Sequence, residues 1–230
     1  MGTGAHMRTN TAIPPMPIDP KLLTLTQWLS PAYPLGSFAF SHGLEQAVHS
    51  GWITDAAELR EWLEDIARHG AGHSDALWLR LAYEAEGAQA LHILNQQCRA
   101  YAPCHERLRE GERQGQAFAR ITSQVWDMEL PAYQFQIALG RAAKLADLPV
   151  DEVITLFLQA FLGNLVSAAQ RLMPLGQTGA QSVLAQLNAV CIDVAQKTDG
   201  KGLDDISGSA FLSDISAMRH ETLEPRIFQS

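Results

Sequence analysis

The stretch "NLVSAAQRLMPLGQTGAQSVL", Asn164–Leu184, decides how this chain folds. A long apolar run stops at Arg171, passes through Pro174 and Gly176, and restarts at once as a second apolar run. Proline removes an intrahelical donor, and glycine tolerates the left-handed turn that ends many helices, so two helices separated by a tight break are predicted. Upstream, Val150, Val153, Ile154, Phe157, Leu158, Phe161, Leu162, Leu165 and Val166 cover most of a helical circumference, which marks a central helix between Pro149 and Met173 with neighbours on every side. Downstream, Thr178 with Gln181 three residues on has capping-box spacing, so the second helix should start there and run through Ala195. A break alone does not explain why Arg171 and Gln177 stand on either side of it.

The helical period extends outward from this point. In "TDAAELREWLEDIARHG", from Thr54, the residues Leu59, Trp62, Leu63, Ile66 and Ala67 share one face, and Asp55 and Glu58 suit a helix N-terminus. Further helices are predicted over Ser74–Glu86, Ala88–Ala100, Arg107–Met128 (the most polar) and Pro131–Ala146. Two segments resist the pattern. "SPAYPLGSFAFSHGLE" reads as an ordered loop feeding a helix near Ser41, and "TDGKGLDDISGSA" as a polar linker, flexible or ordered by a partner. No block alternates with period two for long, so the expected fold is all-α, a single bundle of roughly eight to ten helices. Residues 1–20 are read as an expression remnant, "MGTGAHM", and a flexible arm; 21–200 as the helical domain; and 201–230 as linker and partner-docking tail.

Composition narrows the function. With 47% apolar and 18% charged residues the chain is built to fold, and its net charge of −8 repels phosphate backbones, which argues against nucleic acid as a ligand. Three cysteines form no disulfide framework and no signal segment opens the sequence, so the cytoplasm is the expected compartment. The most apolar window, Val153–Val166, is interrupted by Gln159, Gly163 and Asn164 and reads as too short for a bilayer, so no membrane is expected.

Candidate reactive groups are sparse. Asp65, His69 and His73 recur every fourth residue, a drift of only about 40° per step on a helix, so they can form a metal-binding ladder or a solvated stripe ended by Gly70 and Gly72. A metal-dependent helical hydrolase is the enzyme alternative they support. Cys98, Cys104 and His105 lack paired knuckle spacing, and His42 with Glu45 can form a base and its orienter but has no nucleophile elbow nearby. "RHETLEPRIFQS" lacks the second His of HExxH, no Glu has a His three residues on, and there is no GxxxxGK[ST] loop. No catalytic residue, cofactor or resident metal is expected. What remains are polar residues an isolated bundle does not need: Arg171 and Gln177 at the break, and Arg226 with Phe228 in the tail, a pairing favoured at interfaces.

Three segments taken together, "PLGSFAFSHGLEQAVHSGWI", "NLVSAAQRLMPLGQTGAQ" and "MRHETLEPRIFQS", resemble in order the signature regions of the UreF family of urease accessory proteins, and the likeness runs from about Leu22 to the end. The matching positions are Pro34, Gly36, Phe38, Ser41, Gly43, Leu44, Glu45 and Gly51, then Arg171 through Leu172 and Pro174 to Gln177, then His220, Glu221, Arg226, Phe228 and Ser230. Ala39-Phe40 stands where many members have Ser-Tyr, and the proline that often precedes the tail motif is not seen near Phe211–Ser213. The resemblance implies an all-helical, dimerising protein without established catalytic activity. It also implies a complex with UreD (also called UreH) and the GTPase UreG that delivers nickel to the urease apoprotein. Glu45, Arg171, Gln177, His220, Glu221, Arg226, Phe228 and Ser230 are the partner-binding residues it suggests.

Overall fold

The computed structural model describes residues 19–230; the N-terminal remnant and nearly all of the arm lie outside the described residues. Ten α-helices and two single-turn 3-10 helices make up the described fold, with no strand among them. In order these are α1 Pro20–Trp28, α2 Leu44–His49, α3 Ala56–His69, α4 Ala71–Glu84, α5 Gly87–Ala100, α6 His105–Trp126, α7 Phe135–Leu145, α8 Val150–Leu172, α9 Gln177–Lys197 and α10 Phe211–His220.

Helix α8 is the axis. It packs against α9, α4, α2, α3 and α7, and Val153, Ile154, Leu158, Leu162 and Leu165 are completely enclosed. At 23 residues it is long and apolar enough by composition to cross a membrane, which corrects the reading that its apolar window is too short. Half of that window is buried against neighbouring helices, the ordinary situation of a core helix. A second, smaller core joins Trp78, Leu91, Leu94, Cys98 and Ile137 between α4, α5 and α7.

Local chemistry sets the helix starts. Asp55 caps α3 by accepting from the amides of Ala57 and Glu58, both at 2.9 Å, as its position implies. Helix α7 begins four residues later than its period suggests, because the Asn95 side chain accepts from the Gln134 amide at 2.9 Å and fixes the first turn there. The break after α8 also differs in detail. Gly176 is extended (φ −67°, ψ 159°) rather than left-handed, and α9 starts at Gln177 with no side-chain cap, so Thr178 lies inside the first turn and forms no capping box. The break works because Met173 turns extended and Leu175 donates back to the Met173 carbonyl at 2.7 Å.

The segment read as linker and tail contains α10 and is tied to the bundle. The amides of Ser209 and Ala210 donate to the His69 carbonyl at the end of α3, at 2.7 and 3.2 Å. Gly43 lets α10 lie against α2. Its φ is +75°, and a Cβ there would sit 2.6 Å from the Ala217 nitrogen. Ser216 seals the approach by donating to the Gly43 carbonyl at 2.7 Å.

Candidate functional site

The densest polar construction in the molecule is a clasp around the last residues of the chain. Its base is the loop before α2. Asn164 of α8 donates to the carbonyls of Ser37 and Phe40 at 3.0 and 3.2 Å, which fixes the loop's path. The loop then pairs with the tail: the Ser41 amide donates to the Ser230 carbonyl at 2.9 Å, and the Gln229 amide donates to the Ala39 carbonyl at 2.8 Å. Since both pairing contacts are through the backbone, the hydroxyls missing from Ala39-Phe40 cost this pairing nothing.

Glu45, on the first turn of α2, is the main acceptor. One carboxylate oxygen takes the Ile227 amide at 2.7 Å, and the other takes the Phe228 amide at 2.9 Å and faces His220 Nε2 at 3.1 Å. The opposite nitrogen of His220 lies 2.6 Å from a Glu106 carboxylate oxygen on α6. The ring is thus bracketed by a carboxylate at each of its nitrogens. Arg226 pairs with the second oxygen of Glu106 and donates to the His220 carbonyl. Two carboxylates thus converge on one imidazole and one guanidinium, so the buried polar groups are hydrogen-bonded to one another.

The remaining contacts extend this network. Ser230 donates its hydroxyl to Glu110 at 2.9 Å and accepts the His42 amide at 3.3 Å. Glu221 accepts from the amides of His105 and Glu106 at 2.8 and 3.3 Å, capping α6 from the end of α10. Arg171 donates to the Phe38 carbonyl at 3.0 Å, with its guanidinium carbon 4.2 Å from the centroid of the buried Phe228 ring. The question raised by the break is answered for one of its flanking residues: the end of α8 delivers Arg171 onto the tail.

Seven of the eight residues singled out from sequence therefore meet in one place: Glu45, Arg171, His220, Glu221, Arg226, Phe228 and Ser230. Gln177 does not join them; it is exposed on the first turn of α9 and makes no side-chain hydrogen bond among the described residues. His42 is not the partner of Glu45. It sits at φ +57° with its ring edge toward Phe161, its Nδ1 unbonded, and burial holds its imidazole well below the usual histidine range. Glu106 and Glu110 were missed. Their signal was the four-residue spacing Glu106, Glu110, Gln114, interleaved with Gly111 and Gly115, on a face of α6 that turns inward.

The metal ladder does not form. Asp65 and His69 are exposed on α3, Gly70 breaks the helix, and His73 belongs to α4. Among the described residues no group of three or more His, Cys, Asp or Glu side chains is arranged to hold a metal ion. Burial, foremost, raises the thiols of Cys98 and Cys104 above the usual cysteine range, so neither is an activated nucleophile.

Comparison with known proteins places the chain in a family. The family model described as UreF matches residues 53–188, more than half of the chain. A urease accessory protein UreF from Ruegeria pomeroyi is 42% identical over 214 residues, covering 93% of this chain and 99% of that protein. The chain belongs to the UreF family. Two further UreF proteins, from Cereibacter sphaeroides and Roseobacter denitrificans, are 47% and 43% identical, covering 91% and 90% of this chain and 98% and 93% of their own lengths.

Proposed function

We propose that this UreF-family chain is a non-catalytic urease accessory protein of the cytoplasm. It bridges UreD/UreH and the UreG GTPase, as a homodimer, in the complex that delivers nickel to the urease apoprotein. The observation that carries the adaptor reading is the clasp: its charged and polar groups are directed at the tail and at one another, fixing a backbone path. Rigid tail geometry leaves apolar side chains facing out, among them Ile227 (60% exposed), Phe38 (72%) and the α10 residues Phe211, Leu212, Ile215 and Met218. Large exposed apolar side chains on a fixed base are what a protein partner covers. Coupling of nickel transfer to the GTP state requires that these surfaces contact the two states of UreG differently. The metal-dependent hydrolase alternative loses its support with the division of Asp65, His69 and His73 between two helices.

The test is co-purification of the chain with UreD, UreG and urease apoprotein from one source, with the wild type and with Arg171→Ala. The proposal expects a complex with the wild type that the substitution weakens. An undiminished complex with Arg171→Ala, and undiminished urease activation, would remove Arg171 from the adaptor role; no complex with the wild type would remove the role itself.

A further inference from the structure

Beside the clasp lies a cleft of about 380 Å³ lined by Phe40, Arg109, Arg113, Arg226, Phe228 and Gln229. Three guanidiniums meeting on the surface of a chain with net charge −8 call for a counter-charge. Arg226 already has one in Glu106. Arg113 donates only to the neutral amide oxygen of Gln229, and neither Arg113 nor Arg109 forms an ion pair among the described residues. The acids of α6 are engaged elsewhere: Glu106 with His220 and Arg226, Glu110 with Arg107, Glu112 with Arg99. Residues 1–17 contain no Asp or Glu.

We infer that this cleft is an anion site whose occupant is a carboxylate-bearing segment of a protein partner. Arg109 and Arg113 are four residues apart on α6 and therefore adjacent on its surface. Planar guanidinium forks match carboxylates with paired hydrogen bonds. The volume is at the lower end of ligand pockets, and the Phe40 and Phe228 rings give the methylene stems of Glu side chains an apolar surface to lie against. Continuity with the tail, which the adaptor reading already assigns to partners, favours an acidic peptide. The binding test needs no urease component, so it can fail while the adaptor reading stands.

The probe is a fluorescein-labelled hexaglutamate peptide titrated with the full chain at low ionic strength, with inorganic phosphate as a second arm. Wild type should bind the peptide saturably and more weakly as salt is added. Arg109→Gln combined with Arg113→Gln should weaken binding about tenfold, and Arg109→Gln alone by a smaller factor. Arg120→Gln, an exposed arginine of α6 that does not line the cleft, should change nothing. Equal loss with Arg120→Gln, equal binding by wild type and the double variant, or no binding by wild type would overturn the site. Phosphate binding without peptide binding would overturn its assignment to a protein carboxylate. Equal melting midpoints for all proteins tie any loss to the cleft; should the double variant melt early, the comparison of Arg109→Gln with Arg120→Gln decides.

Discussion

Arg171, at the end of the central helix, lies over the ring of Phe228, two residues from the last residue of the chain, at 4.2 Å from guanidinium carbon to ring centroid. The contact joins the break after α8 to the C-terminal tail, two features separated in sequence by more than fifty residues. An arginine is suited to it because its flat cation stacks on an aromatic face while a free N–H reaches the Phe38 carbonyl.

Replacing Arg171 with Ala should cost about 1 kcal/mol, the stacking and one hydrogen bond at a partly exposed site. Lysine, which keeps charge but not the planar fork, should restore less than half of it. Thermal melts of the three proteins check the ranking; a lysine variant as stable as wild type would mean that charge alone matters.

Glu45→Gln keeps the size of the side chain but removes the carboxylate charge beside His220, and one acceptor oxygen becomes a donor facing a backbone amide. A loss of about 3 kcal/mol is expected, as for breaking a buried ion pair from one side. Limited proteolysis should cut after Arg226 in the variant at protease levels that leave wild type intact. Equal cutting of both would show that Glu45 does not hold the tail.

Gly43→Ala meets two obstacles, a φ of +75° and the backbone of Ala217. The substitution should cost about 2–3 kcal/mol and displace α10 from α2. Gly51→Ala, also at positive φ but with open space around its Cβ, carries only the conformational cost of about 1 kcal/mol. Matching losses at the two positions would contradict the close approach of the helices.

Burial pushes the Asp75 carboxyl up to about 6, against a smaller opposing pull from Arg107. An unfolded Asp titrates near about 4. The native state therefore binds this proton more tightly, and the stability Asp75 contributes below pH 4 is lost as pH rises through 6. Buried His42 acts in the other direction over part of this range, since its lowered value makes the native state reject a proton that the unfolded state takes up near pH 6.5. The difference between Asp75→Asn and wild type isolates the first effect. Between pH 4 and 7 it should shift in favour of the variant by on the order of 2–3 kcal/mol, measured by urea unfolding at each pH. A difference that stays flat would contradict the raised value.

Much of this architecture can be read along the chain, because α3 and α8 declare themselves by apolar spacing and Asp55 by its capping position. What was not legible depends on contacts distant in sequence. The start of α7 is set by Asn95 on another helix, and α9 begins without a cap because the extended backbone at Met173 and Gly176 already fixes its entry. Helix α10 escaped notice because its apolar residues Phe211, Leu212, Ile215 and Met218 face outward while Ser213, Ser216 and His220 face in, the reverse of the usual pattern. The tail motif pointed to Glu45 and His220 as important, but only the fold reveals that they bond each other, with Glu106 completing the set.

The role proposed for this UreF-family chain in urease maturation depends on a tail held by its own clasp. The most direct measurement is nickel-dependent urease activity in cells carrying the urease subunits, UreD and UreG, with wild type, with Glu45→Gln, or without the chain. Activity that requires the chain and falls severalfold with Glu45→Gln at equal protein level is the predicted result. Full activity without the chain would contradict the role in maturation, and full activity with Glu45→Gln would contradict the part given to the clasp.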